Sequence, residues 1–138
     1  DKPVANYFPD WKNKPSIKSN KADLTIRELY THQSGLIPFI SFYKVTIENG
    51  NPSPKWYAAQ ADKMHSLCVA PGMYLDNRFL DSVYFEIRKS PLKTRGKYVY
   101  SDLPLVITPQ IVKNTSGIDF QEFVESNFYK PLGASELT

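Results

Sequence analysis

Tyr98, Tyr100 and Asp102 alternate along Tyr98-Val99-Tyr100-Ser101-Asp102, a strand-like stretch that follows Gly96 and runs into a turn. In extended backbone, alternate side chains share a face, so a phenol and a carboxylate project together with the Ser101 hydroxyl between them. A phenol titrates near about 10 and acts as a general base only where nearby cations favour the phenolate. The same residue types ahead of a helix also make an ordinary packed aromatic and a cap. Context decides.

Other reactive side chains carry weaker signals. His32 and Ser34 stand two apart and point in different directions on a helix, and the Gly-x-Ser-x-Gly elbow is absent. A histidine whose ring fixes the local loop is the better reading of His32. His65 is far from it in sequence and no cysteine pair accompanies either, so no metal and no cofactor is called for. The single Cys68 permits no internal disulfide. Its apolar setting, Leu67-Cys68-Val69-Ala70, predicts a buried small hydrophobe.

At 138 residues the chain is long enough to bury a core, and 41% hydrophobic residues exclude a disordered chain. No apolar run is long enough for a transmembrane helix. The chain starts at Asp1 without a methionine or a signal sequence, as expected of an excised or mature fragment. Five lysines (Lys2, Lys12, Lys14, Lys18, Lys21) open a chain of net charge +3. Asp1, Asp10 and Asp23 interrupt them and no nucleic-acid motif follows, so a solvated surface is expected and no nucleic-acid partner.

The elements that must position Tyr100 follow from local signals. Pro3, Pro9 and Pro15 break any long helix at the start, where Val4, Tyr7, Phe8 and Trp11 form one apolar side. Thr25 with Glu28 is a capping box ahead of a short helix with Ile26, Leu29 and Tyr30 as its stripe, and Gly35 ends it. Residues 37–75 read as long coil, with turns at Asn49-Gly50 and Pro71-Gly72 and weak helical character over Lys55 to Lys63. Asp76 caps a helix over 77–89 with Leu80, Val83, Tyr84 and Ile87 on one side, and Pro91 stops it. A second helix runs from Leu103 to Asn114 with Pro104 in its first turn, Pro109 kinking it and Gly117 as the stop. Asp119 and Glu122 repeat the capping-box pattern before a buried stripe of Phe120, Phe123, Val124 and Phe128.

Three landmarks stand in order: Leu24 to Leu36, with Thr31-His32-Gln33-Ser34-Gly35-Leu36 at its end; Tyr100-Ser101-Asp102; and Phe128-Tyr129-Lys130-Pro131-Leu132-Gly133. Together they resemble the serine beta-lactamase-related family of class C beta-lactamases, DD-peptidases and related esterases. The likeness covers about Val4 to Thr138 and fits the family's middle portion. It implies a nucleophilic serine mechanism, in which a Ser-x-x-Lys serine forms an acyl-enzyme that water resolves. Tyr100 matches the Tyr of the family's Tyr-x-Asn motif, Ser101 is its middle residue, and Asp102 replaces the usual Asn. These three are the candidate catalytic residues.

The chain also departs from the family pattern. Ser16-Ile17-Lys18 does not supply a Ser-x-x-Lys, and Ser41-Phe42-Tyr43-Lys44 falls after the His32 stretch instead of before it. No Lys-Thr-Gly occurs, and Lys93-Thr94-Arg95-Gly96 is only superficially similar. Residues 1–138 are therefore expected to be a single fragment of a larger serine hydrolase domain. Its expected fold is mainly α with long coil connections, the helical lobe of the beta-lactamase/transpeptidase-like α/β fold. The expected substrates of the parent are peptidoglycan-type peptides, beta-lactams or esters, met in a periplasmic or extracytoplasmic location. The expected partners are the remainder of the catalytic domain and, for the fragment, further copies of itself. The fragment alone should be inactive. The alternative is a non-catalytic cell-wall or glycan-binding module, resting on 14% aromatic residues that could stack on sugars.

Overall fold

The computed structural model describes residues 2–8, 11 and 20–134. The expected helix breaks at Pro9 and Pro15, Ser16, and the lysines Lys12, Lys14 and Lys18 lie outside the described residues. The chain forms two compact units, Asp1–Pro38 with Pro91–Thr138, and Phe39–Ser90.

In the first unit a one-turn helix, α1 (Ile26–Tyr30), starts at the expected capping box. Thr25 Oγ1 accepts the Glu28 amide at 3.2 Å while Glu28 Oε2 accepts the Thr25 amide at 2.8 Å. Leu29 is fully buried and anchors this turn. Truncating such a residue costs about 2–5 kcal/mol. The helix ends before Gly35, because His32 already takes a left-handed φ of 55°. Val4, Phe8 and Trp11 are buried as the spacing suggested, and Val4 donates to Leu24 O at 2.7 Å. Lys21 is not the solvated lysine expected. It is fully buried, donates to Asn20 Oδ1 at 3.0 Å, and burial lowers its pKa to about 8.

The longer helix of this unit, α2 (Leu103–Ser116), carries Pro104 in its first turn and ends at Gly117, whose φ is 81°. Leu103, Pro104 and Ile107 are buried. A short helix follows, α3 (Phe120–Val124), continued by a π turn over Glu125–Tyr129. Here two expectations are corrected. Asp119 caps nothing with its side chain, because its carboxylate is taken by Lys113 Nζ at 2.8 Å. The Phe120–Phe128 stripe is not buried either: Phe120 and Phe128 are exposed, as are Leu105 and Leu132.

The second unit overturns the expectation of a mainly α fold with coil connections, since five strands in two antiparallel sheets fill the stretch assigned to loops. Strands β1 (Ile47–Glu48) and β2 (Asn51–Pro52) form a hairpin across Asn49-Gly50, both in the left-handed region. Strands β3 (Tyr57–Ala58), β4 (Leu67–Ala70) and β5 (Met73–Leu75) pair in the order β3-β5-β4, with a bulge between Cys68 and Ala70. The Lys55–Lys63 stretch thus contains a strand in place of helical structure. Strand β4 lies at the sheet edge, which leaves Cys68 exposed and not buried.

A twelve-residue helix, α4 (Arg78–Lys89), closes this unit in sequence between α1 and α2. Asp76 Oδ1 accepts the Arg78 amide at 2.8 Å and its carboxylate also holds the Arg78 guanidinium, so it serves the helix start as expected. The buried line is Phe79, Val83 and Ile87, with Leu80 turned outward. Phe79 is drawn inward by Trp56, whose ring meets it edge-on at 5.1 Å between centroids.

Candidate active site

Tyr100 is placed by backbone hydrogen bonds that fasten residues 92–102 to the loop following α1. Leu36 and Leu92 form an antiparallel bridge, and Lys93 donates to Gly35 O at 2.6 Å. Gly96 then donates to Gln33 O and Val99 to His32 O, both at 2.8 Å. The chain next turns back. The Ser101 hydroxyl donates to Ile37 O at 2.7 Å, and the Asp102 amide to Pro38 O at 2.8 Å. Gly35 permits this closeness: a Cβ there would stand 2.6 Å from Lys93 O.

Two side chains, one from α1 and one from the loop after it, reinforce the attachment. Glu28 receives a two-pronged hydrogen bond from Arg95, one arm of it Nη2 to Oε2 at 2.7 Å. This pairing, with the Thr25 capping bonds, holds the Glu28 carboxyl down at about 2. His32 does the rest. Its Nδ1 accepts the Ser101 amide at 3.3 Å, while its ring lies against Tyr100 at 4.6 Å and edge-on to Tyr98 at 5.8 Å between centroids. His32 fixes a loop, as read from the sequence, but not its own: the ring holds the segment bearing Tyr100, 69 residues away.

The three candidate residues have different surroundings. Tyr100 is 52% exposed, and the Asp102 carboxylate acts on its phenol. The pull of the Asp102 carboxylate on the phenol proton, then its negative charge, push the Tyr100 pKa above its ordinary value, because both penalise a phenolate. Asp102 starts α2 through its carbonyl, which accepts the Leu105 amide at 3.0 Å, and leaves its side chain to the phenol. Ser101 points the opposite way. It is buried, and besides donating to Ile37 O its hydroxyl accepts the Leu103 amide at 3.2 Å.

Sequence reasoning passed over two participants. Arg95 lies in the Lys93-Thr94-Arg95-Gly96 run, and nothing local ties it to Glu28, 67 residues away. Tyr98, 70% exposed beside His32, was noted only for its spacing. The other histidine, His65, shares its Nδ1 with Asp62 at 3.1 Å, and no group of three potential metal ligands occurs among the described residues. Ser34 is buried and its hydroxyl accepts only a long 3.4 Å bond from the Leu36 amide. Among the described residues no helix is long and apolar enough to cross a membrane.

The chain belongs to the Beta-lactamase family, which matches it over residues 1–138. It is 29% identical over 130 residues to an N-acetylmuramyl-L-alanine amidase of Bacillus subtilis, covering 94% of this chain and 24% of that protein. It is 25% identical over 135 residues to a provisionally named D-alanyl-D-alanine carboxypeptidase of Salmonella agona, covering 94% of this chain and 25% of the relative. The chain therefore spans about a quarter of the length of these curated relatives. Its fold is shared with a crystal structure of a provisionally named beta-lactamase from Bacteroides dorei. The TM-score is 0.59 at 22% identity, over 98% of this chain and 31% of that one.

Proposed function

We propose that this chain is the tyrosine-bearing part of a larger serine hydrolase domain that cleaves acyl bonds through an acyl-enzyme. The substrates are peptidoglycan-type peptides, beta-lactams or esters, and the relatives named for N-acetylmuramyl-L-alanine and D-alanyl-D-alanine bonds favour the first. A cell-wall substrate places the reaction outside the cytoplasm. The observation that carries the reading is the exposed Tyr100 on a turn fastened at Val99, Ser101 and Asp102, with the Asp102 carboxylate acting on its phenol.

In this reading a serine hydroxyl from the remainder of the domain adds to the substrate carbonyl. Its proton passes by way of the Tyr100 oxygen to the leaving group as the acyl bond breaks. Water then attacks the acyl-enzyme carbonyl, a proton from that water passes by way of the Tyr100 oxygen to the serine, and the acyl–serine bond breaks to release the acid. Because Asp102 favours the neutral phenol, Tyr100 works as a base only beside a cation, the part the family's Ser-x-x-Lys lysine plays. Ser101 serves by position, fixing the turn through Ile37.

The test uses the full-length protein with a chromogenic beta-lactam, a short-chain ester and a D-alanyl-D-alanine peptide. Tyr100→Phe should lower kcat about 10²- to 10⁴-fold, the usual range for general acid–base catalysis. A serine-reactive fluorophosphonate should label the full-length protein stoichiometrically and leave residues 1–138 alone unlabelled. Full activity of Tyr100→Phe, or labelling at Ser34 or Ser41, would refute the assignment.

A further inference from the structure

We infer that His32 is a positioning residue for Tyr100 that works only as the neutral imidazole, so that its protonation releases the tyrosine turn. The inference rests on Tyr100 being the working phenol of the proposed site, yet its geometry stands independently of that role. Nδ1 of His32 faces the Ser101 amide, which can only donate, so Nδ1 must carry a lone pair and the ring proton resides on Nε2. The His32 carbonyl takes the Val99 amide, and the ring touches Tyr98 and Tyr100. One residue thus holds the backbone on both sides of Tyr100 and the tyrosine ring itself.

The backbone conformation supports the same conclusion. His32 holds a φ of 55°, one of two non-glycine residues with positive φ among the described residues. Such conformations persist only where the surroundings enforce them, and they gather at functional sites.

Imidazoles ordinarily change charge between pH 5 and 8. A proton on Nδ1 would set a donor against the Ser101 amide, and that hydrogen bond would be lost. The groups facing the ring are the phenols of Tyr98 and Tyr100, and the charged group acting on the Tyr100 phenol is the Asp102 carboxylate. Among the described residues no charged side chain bonds to the ring itself. Protonation therefore gains only the attraction of a cation to two tyrosine rings, while the amide that fixes the turn loses its acceptor.

The experiment is nuclear magnetic resonance of the full-length protein labelled at histidine nitrogens, tyrosine rings and serine amides, titrated from pH 8 to pH 5. At the upper end His32 should show the Nε2–H tautomer. On acidification the Ser101 amide and the Tyr100 ring should shift with the same midpoint as His32. In His32→Asn, Oδ1 can replace Nδ1 as acceptor and Asn tolerates positive φ, so both signals should stay near their neutral positions throughout. His32→Gln, with its amide too far along the side chain, should leave them displaced at every pH. A proton on Nδ1 at pH 8 would overturn the inference, as would a Ser101 amide indifferent to the titration in a folded protein. Loss of activity in Tyr100→Phe tests the catalytic reading separately, since these resonances report position whether or not Tyr100 is the base.

Discussion

Arg95 reaches across 67 residues of sequence to grip Glu28, so the carboxylate that closes the α1 capping box also anchors the segment leading to Tyr100. The Glu28 carboxyl is held near about 2 against an ordinary 4.5, mainly by Arg95 and further by Thr25. A folded-state value below the unfolded one means stability that is present above about 4.5 and lost as pH falls through about 2. Arg95→Ala should therefore destabilise the protein at neutral pH by about 1 kcal/mol, a modest figure because the pair is partly exposed and screened. It should also flatten the acid decline, leaving the Thr25 share in place. Urea melts of both proteins at neutral pH and through the acid window would show this. An unchanged decline in Arg95→Ala would mean that the pair contributes nothing.

Gly35 should be the least replaceable glycine. It combines a φ of 76° with a Cβ position 2.6 Å from Lys93 O, whereas Gly117, at φ 81°, has nothing within 4 Å of its Cβ position. Gly117→Ala should cost only the left-handed conformation, about 1–2 kcal/mol. Gly35→Ala adds a backbone collision that must push residues 93–102 outward, for a total of about 2–4 kcal/mol. Chemical denaturation of the two variants gives the difference directly, and equal losses would show that the contact relaxes without cost.

What could be read from sequence was what neighbours in sequence decide. The Thr25–Glu28 capping box, the Asn49-Gly50 turn and the Gly117 stop each need only a few adjacent residues, and each formed as expected, although the turn joins two strands that were not. The sheet β3-β5-β4 was hidden because strands of two to four residues are too short to show alternation, and Leu67–Ala70 is apolar throughout. Asp119 had the cap pattern, yet Lys113 won its carboxylate. At the site, the Tyr100–Asp102 spacing anticipated a carboxylate acting on the phenol, although Asp102 has helical and not extended backbone. The same spacing could not reveal Arg95 on Glu28, or the His32 ring against both tyrosines. Those depend on the path the chain takes between residues 38 and 91.

The apolar stripe that failed to bury has a consequence in solution. Leu105, Phe120, Phe128 and Leu132 are all exposed on the unit that carries Tyr100, Leu132 at 78%. Apolar surface of this kind favours association. Residues 1–138 expressed alone should therefore self-associate with rising concentration in sedimentation velocity, and Phe128→Ser with Leu132→Ser should weaken that association. A monomer across the whole concentration range would show that these side chains are tolerated singly by solvent.

Asp102 offers the sharpest test of Tyr100. Its carboxylate acts on the phenol proton and opposes the phenolate, and Tyr98 adds a smaller push in the same direction. Asn at this position keeps an acceptor but removes the charge, so Asp102→Asn should lower the Tyr100 pKa. If Tyr100 is the base, the enzyme is active where the phenol has lost its proton. The acid limb of kcat/KM, which reports the free enzyme's base, should then move to lower pH in the variant. Ultraviolet titration of phenolate absorbance, with Tyr100→Phe subtracted, should move in the same sense. A lysine brought to Asp102 by the rest of the domain would neutralise part of its charge and shrink the displacement without reversing it. The pH–rate profiles of the full-length protein and of Asp102→Asn, recorded side by side, decide the matter. A limb displaced to higher pH would remove Tyr100 from the role of base.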